Sequence, residues 1–186
     1  EFMTDPTASQ NIMFARADAM TMYQDVSWSS DNHDYRWNNF FKPEGNDLLF
    51  ARLLNVDRNN IEDIEAQQNA ILGICMLRLP EMYYIAAEAL FAAGDQEMGH
   101  SYLEAVRRSR GLGQRLEPAT SLKEFQSLLQ KERRKEFWGE GQTFLDYKRT
   151  NSEFMNANNT NIITLTPQIS VLPWPRNEQE FGSINK

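Results

Sequence analysis

The alternation of apolar and polar positions is most regular between residues 79 and 110, where it predicts two helices joined as a hairpin. Gly94, between the two, supplies the left-handed residue that commonly ends a helix. Alanines at the expected crossing points let the helices approach closely, which is typical of a tetratricopeptide-like unit that needs neighbours to bury its outer face. The predicted inner face consists of Leu79, Tyr83, Ala86, Leu90 and Ala93 in the first helix and of Met98, Tyr102, Ala105 and Ser109 in the second, with Leu103 and Val106 beside them.

A third helix is predicted to begin after Ser121. Ser121 and Glu124 fit a capping box, in which the two side chains accept hydrogen bonds from amides that the helix leaves unbonded. An apolar stripe follows the capping box. It becomes acidic towards the end of the helix, where the next positions at helical spacing are Glu132 and Glu136. The stripe itself consists of Leu122, Phe125, Leu128 and Leu129.

Three further segments show weaker patterns. Residues 11–26 have helical spacing, whereas residues 34–41 are dense in aromatic side chains and follow loop-like sequence. Residues 142–149 predict a short helix with Phe144 and Leu145 facing inward.

The fold class predicted from these patterns is mainly all-α, built from tetratricopeptide-like hairpins with long loops. The C-terminal segment is expected to be extended, because Pro173 and Pro175 each remove a backbone donor. Residues 1–10 are expected to be a tag or a disordered start, and residues 11–186 to form one domain.

Composition and charge narrow the classes of function. The net charge of −7 disfavours nucleic-acid binding, which calls for a basic surface. The sequence contains no run of about 18 apolar residues that could span a bilayer. Its single cysteine, Cys75, lies in an apolar run and excludes both an intrachain disulfide and a Cys/His zinc cluster. A metal site on the two histidines, His33 and His100, is left as an alternative.

Four segments resemble motifs of the SusD/RagB family of outer-membrane nutrient-binding lipoproteins. Their order and spacing also match, over residues 78 to 185, which correspond to the C-terminal portion of a family member. The segments are RLPEMYYIAAEA at residues 78–89, VRRSRG at 106–111, ERRKEFWGEGQTFLDYKR at 132–149, and VLPWPRNE at 171–178 followed by Asn185.

The resemblance implies a non-enzymatic receptor on the extracellular face of the outer membrane of a Bacteroidetes-type bacterium. It implies binding of oligosaccharides or, in some members, peptides, and delivery to a TonB-dependent transporter of the SusC type. Members are generally longer on the N-terminal side and carry a lipid-bearing cysteine there. Cys75 does not match that position, so we expect any membrane attachment to depend on a lipid anchor outside this sequence.

The acidic residues of the third motif are interpreted as structural. Glu132, Glu136 and Glu140 lie one helical turn apart, and paired carboxylates can act in glycoside hydrolysis. Arginines lie among them and on neighbouring elements, so ion pairs that lock helices together are the preferred interpretation. Arg107 or Arg110 is the expected partner of Glu81 and Glu88. The predicted charge network consists of Arg78, Glu81, Glu88, Arg107, Arg110, Glu132, Arg133, Glu136, Glu140, Asp146 and Arg149.

A ligand site is predicted in the aromatic segment, because sugar rings stack on aromatic faces and bond to amides and carboxylates. The alternative is that its aromatic side chains only pack against the helices. No cofactor is expected, although Asp31, Asn32 and Asp34 offer oxygen ligands for a Ca²⁺ ion as the alternative. The candidate ligand-binding residues are Trp28, Asp31, Tyr35, Trp37, Asn38 and Asn39.

Three functions therefore remain open. The first is non-catalytic glycan binding with delivery to a transporter. The second is a protein-interaction scaffold that only docks the transporter, and the third is a glycoside hydrolase that uses two of the carboxylates.

Overall fold

The computed structural model describes residues 19–23, 32–44, 47–50, 52, 77–155 and 161–171, and within them the protein is mainly α-helical, as predicted. The predictions for Trp28, Asp31, Cys75 and the tail of residues 172–186 lie outside these described residues. The helices are α1 (Ala19–Tyr23), α2 (Tyr35–Phe40), α3 (Leu79–Ala92), α4 (Gln96–Ser109), α5 (Leu122–Glu136), α6 (Gln142–Thr150) and α7 (Pro167–Ser170), and the strands are β1 (Phe41–Glu44), β2 (Asp47–Phe50), β3 (Phe154–Met155) and β4 (Ile162–Ile163).

The chain divides into two compact units, Glu1–Glu136 and Phe137–Lys186. The first contains α1 to α5 with the β1–β2 pair, and the second contains α6, α7 and the β3–β4 pair. One domain over residues 11–186 stays a prediction.

The predicted hairpin of residues 79–110 is confirmed as α3 and α4. Gly94 adopts φ +98° after α3, and its amide donates to the Phe91 carbonyl at 3.1 Å. The next amide, that of Asp95, donates to the Leu90 carbonyl at 3.0 Å, which completes a Schellman-type end. The Asp95 carboxylate then caps α4 by accepting from the Met98 amide at 3.1 Å.

The predicted inner face of this hairpin was wrong by about one position. The structure buries Tyr84, Ala87 and Phe91 of α3 and leaves Leu79 70% exposed. Because almost every position of α3 is apolar, periodicity alone did not select the face. The close approach of α4 selects it, since a Cβ at Gly99 would lie 2.9 Å from the Ala87 carbonyl oxygen. In α4 the predicted Leu103 and Val106 are buried, together with Gly99 and Arg107. Met98 and Ser109 are exposed, and Tyr102 and Ala105 are half-buried.

Helix α5 packs against α3 through Phe125, whose ring stacks on that of Phe91 with centroids 4.2 Å apart. Leu129 is buried one turn later. The capping box forms in a shifted version. Ser121 Oγ accepts from the Glu124 amide at 3.2 Å, while the Glu124 carboxylate accepts from the Thr120 amide at 2.7 Å.

An aromatic cluster occupies the N-terminal part of the first unit. Strands β1 and β2 pair antiparallel with Phe41 opposite Phe50. The Phe41 ring lies 5.4 Å from that of Tyr23, 5.2 Å from that of Trp37 and 5.7 Å from that of Phe50, between centroids. The aromatic segment is therefore a short helix followed by a strand. Its Phe40 and Phe41 rings form part of the core, whereas Tyr35 is 46% exposed.

The second unit is built around α6, which begins after Gly141 and ends before Asn151, both left-handed. Strand β3 pairs antiparallel with β4, and the Phe154 ring lies 5.1 Å from that of Tyr147. The inward orientation predicted for Phe144 and Leu145 was wrong, because they are 43% and 64% exposed.

Candidate functional site

Glu132 of α5 is at the centre of a buried charge cluster and is only 2% exposed. It accepts from Arg36 Nη2 at 2.8 Å and from Arg107 Nη1, and Lys135 Nζ lies 3.6 Å away. Burial alone would raise the pKa of Glu132. The positive charges of Arg36, Lys135 and Arg107 outweigh it and lower this pKa to about 2.

Glu136 lies one helical turn later and is fully buried. Its carboxylate accepts from Arg110 Nε and Nη2, both at 2.9 Å, and from Arg78, while Arg36 Nη1 lies 3.5 Å away. Burial opposes ionisation here too, but the Arg110 bonds and the neighbouring guanidinium charges lower the pKa of Glu136. Its backbone carbonyl, at the end of α5, accepts from Arg52 at 2.7 Å and from Arg78 at 2.9 Å.

Arg36 connects α2 to this cluster, and the sequence analysis missed it. Its guanidinium binds Asp34 in a bidentate manner, at 2.8 Å and 2.7 Å, and the Asp34 carboxylate also caps α2 through the Arg36 amide at 3.0 Å. Burial would lower the pKa of Arg36, but the charge of Glu132 and the Asp34 bonds raise it. The local sequence signal that could have identified Arg36 is Asp34, an N-cap aspartate two residues before this isolated arginine.

This arrangement is suited to bracing helices and is poorly suited to acid–base catalysis. A catalytic general acid needs a carboxyl whose pKa is raised towards the working pH. Here the pKa values of Glu132 and Glu136 are lowered, and both carboxylates already accept several charged donors. Glu140, the third carboxylate of the predicted catalytic alternative, belongs to the second unit.

Glu81 and Glu88 have partners other than the expected Arg107 or Arg110. Glu81 lies 3.8 Å from Arg133, and Glu88 accepts from the Gln126 amide at 2.8 Å rather than from Arg107 or Arg110. In the second unit, Arg149 lies 3.8 Å from Asp146.

The exposed face of α2 carries three of the predicted ligand-binding residues together. Tyr35, Asn38 and Asn39 follow the i, i+3, i+4 spacing of one helix face, and all three are exposed, Tyr35 by 46%. Trp37 is half-buried against Tyr23 and Phe41, at 6.1 Å and 5.2 Å between ring centroids. The surface formed by Tyr35, Asn38 and Asn39 is called the α2 face below.

The oxygen atoms suggested for Ca²⁺ are engaged with protein groups wherever they are described. Asp34 binds Arg36, and Asn32 Oδ1 accepts from the amides of Gly113 and Gln114 at 3.1 Å and 3.4 Å. Over the described ranges, no three His, Cys, Asp or Glu side chains come together in a way that could hold a metal ion.

A groove along α4, which sequence reasoning did not single out, has a volume of about 670 Å³. Across this groove, side chains of α4 form hydrogen bonds with the segment that connects α4 to α5. His100 Nε2 accepts from the Ala119 amide at 3.0 Å, and Glu104 Oε1 accepts from the Leu116 amide at 3.3 Å. The His100 ring also packs on Phe91 and Phe125.

Comparisons with known proteins give one match. The model of the SusD family matches residues 51–168, more than half of the 186-residue chain. Neither the curated proteins nor the solved structures contain a match. In the part of the chain that the structure describes, every helix is too short or too polar to cross a bilayer. The chain belongs to the SusD family, whose members are generally non-catalytic proteins that bind glycans and other nutrients at the bacterial cell surface.

Proposed function

We propose that this protein binds an oligosaccharide on the extracellular face of the outer membrane, without cleaving it, and delivers it to a TonB-dependent transporter of the SusC type. Membership of the SusD family supports the binding role. The observation that carries the proposal is the α2 face, where an exposed aromatic ring and two exposed amides share one side of a helix.

The chemistry of the α2 face fits a neutral sugar. The flat side of the Tyr35 ring suits the apolar face of a pyranose, and amides such as those of Asn38 and Asn39 can donate to and accept from hydroxyl groups. The one charged side chain of α2, Arg36, is buried and paired with acids. The net charge of −7 also disfavours the approach of polyanionic glycans.

The buried cluster supports binding without cleavage. A glycosidase places one protonated and one ionised carboxyl on either side of a glycosidic bond. Glu132 and Glu136 are instead buried among arginines with lowered pKa values, so neither is available as an acid.

A docking scaffold for the transporter is the second candidate. It is favoured by the exposed apolar side chains of α3, since Leu79 is 70%, Met82 46% and Ile85 54% exposed. An apolar helix face of this kind is suited to stacking on another protein. In this alternative the α2 face has no ligand.

The binding proposal is tested with the purified chain and a panel of neutral oligosaccharides, made of α- and β-linked glucans, xylans and mannans, by calorimetry and tryptophan fluorescence. Tyr35→Ala should weaken binding of the recognised glycan roughly tenfold, which corresponds to about 1.4 kcal/mol. Phe144→Ala, which removes an aromatic ring of similar exposure from the second unit, serves as the control and should leave binding unchanged.

Three outcomes would count against the proposal. Tyr35→Ala and Phe144→Ala could bind equally well, which would move the site away from α2. The panel could fail to bind while a transporter co-purifies, which would favour the scaffold. Reducing sugar could be released by the wild type and not by Glu136→Gln, which would favour the hydrolase.

A further inference from the structure

We infer that the C-terminal end of α4, formed by Arg110 and Gly111, is the positioning element of the α2 face and thereby controls its affinity for glycan. This inference rests on the proposed function for its ligand. Helix α2 has six residues, which is too short for a helix to be stable alone. The position of Tyr35 must therefore be set by contacts outside α2.

The end of α4 has a backbone conformation that favours glycine. Gly111 adopts φ +89°, its amide donates to the Arg108 carbonyl at 3.1 Å, and the Leu112 amide donates to the Arg107 carbonyl at 3.1 Å. These are the two bonds of a Schellman motif, in which the left-handed residue is usually glycine.

The absence of a side chain at Gly111 creates the space that the Tyr35 ring and the His33 carbonyl occupy. A Cβ at this position would lie 2.8 Å from both Cε1 and Cζ of Tyr35 and would overlap the carbonyl oxygen of His33. The His33 and Tyr35 rings pack edge-to-face, with centroids 4.7 Å apart. The segment that carries the aromatic platform thus lies directly on the glycine.

Arg110 holds the same segment through its backbone. Its carbonyl oxygen accepts from the Tyr35 amide at 2.9 Å, while its guanidinium binds the buried Glu136. The residue that anchors the start of α2 is therefore itself fixed by α5.

Asn32 adds an attachment on the other side of the glycine. Its side-chain oxygen accepts from the amides of Gly113 and Gln114, which lie two and three residues after Gly111. Residues 32 to 35 are thus attached to residues 110 to 114 by a side-chain bond, a backbone bond and a close packing contact. Displacing this attachment should move Tyr35 without removing any group of the α2 face.

The test compares Gly111→Ala with Gly94→Ala. Gly94 has a similar backbone conformation, φ +98°, at the end of α3, but a Cβ there would meet nothing within 4 Å. Both variants carry similar conformational strain, so the difference between them reports mainly the collision with His33 and Tyr35. Hydrogen exchange of the Tyr35 amide and affinity for the glycan recognised by the wild type are measured for each.

Gly111→Ala is expected to lower both the protection of the Tyr35 amide and the glycan affinity roughly tenfold relative to Gly94→Ala. Equal protection in the two variants would overturn the inference, and so would equal affinity. If the wild type binds no glycan of the panel, the proposed function fails, and the exchange of the Tyr35 amide alone decides whether the α4 end positions α2.

A second pair of variants covers the case in which Gly111→Ala does not fold. Asn32→Ala removes the acceptor for the Gly113 and Gln114 amides, and Asn32→Asp keeps an oxygen at that place. We expect the alanine variant to lose protection at Tyr35 and glycan affinity, and the aspartate variant to retain both. Loss in both variants, or in neither, would contradict the positioning role.

Discussion

Arg36 Nη2 and Glu132 Oε2 lie 2.8 Å apart, although 96 residues separate them in the chain, and both side chains are at most 3% exposed. The bond joins the short helix α2 to the C-terminal part of the long helix α5, one turn before its end. A buried charge without a partner lowers the stability of the fold. Each of these two residues therefore requires the other to stay in its place. Helix α2 is attached to the helical core through this pair in addition to its contacts with the end of α4.

Removal of the Arg36 charge should therefore be strongly destabilising. Arg36→Met leaves Asp34 without its bidentate partner and Glu132 with less positive charge around it, so we expect a loss of about 3–5 kcal/mol in the free energy of unfolding. Urea denaturation at pH 7 measures this change. The control is Arg108→Met, whose i,i+4 pair with Glu104 is 52% exposed on the arginine side and should cost less than about 1 kcal/mol. Similar losses in the two variants would show that the buried ion pair stabilises the fold no more than the exposed one.

Stability should fall in acid because of Glu132. Its pKa is lowered from 4.5 to about 2 by folding, so its contribution is fully present above pH 4.5 and disappears as the pH falls towards 2. The shift corresponds to roughly 3 kcal/mol. The lowered pKa of Glu136 acts in the same direction.

Urea unfolding of the wild type and of Glu132→Gln between pH 7 and pH 2 tests this prediction. The gap in free energy of unfolding between the two should be widest above pH 4.5 and should narrow as Glu132 becomes protonated. A gap of constant size across this range would mean that the ionised form of Glu132 does not stabilise the fold.

Gly99 should resist substitution even by the best helix former. Gly99→Ala gains about 1 kcal/mol of helix propensity, but its Cβ would lie 2.9 Å from the Ala87 carbonyl oxygen and 3.0 Å from Phe91 Cβ. The carbonyl belongs to the α3 backbone and moves only with the helix, so overpacking of about 1–3 kcal/mol should outweigh the gain. The control is Ser101→Ala on the exposed side of α4, which should be neutral or stabilising. A higher melting temperature for Gly99→Ala would contradict the close crossing of α3 and α4.

The sequence was informative wherever the signal was local. The hairpin of residues 79–110 and the capping residues Ser121 and Glu124 follow from spacing, glycine placement and side-chain chemistry within a few residues. The match of the SusD model to residues 51–168 agrees with the resemblance seen in the charged motifs.

Long-range contacts account for what sequence reasoning missed. Arg36 stands in a segment of aromatic and amide residues, where a single cation is usually solvated, and its burial depends on acids about a hundred residues away. The buried face of α3 was misplaced because Tyr83 and Tyr84, or Ala86 and Ala87, are equivalent in hydrophobicity, and only the approach of Gly99 distinguishes them.

The candidate ligand-binding residues also differ in how much of their arrangement is local in the sequence. The spacing of Tyr35, Asn38 and Asn39 is local, so their shared helix face could be read from the sequence once the segment was known to be helical. Trp37 has the aromatic chemistry expected of a sugar platform, yet it does not share that face and is half-buried against the rings of Tyr23 and Phe41.

The shared carboxylates of Glu132 and Glu136 also constrain how this sequence can diverge. Arg36 touches both acids, Arg107 and Arg110 each touch one, and none of these groups is stable in the interior without the others. A single substitution at one of these positions leaves a buried charge without a partner. Replacing the whole set by apolar side chains does not. Related chains are therefore expected to keep the set whole or to exchange it together, so that correlated variation among these positions would reveal the same contacts without a structure.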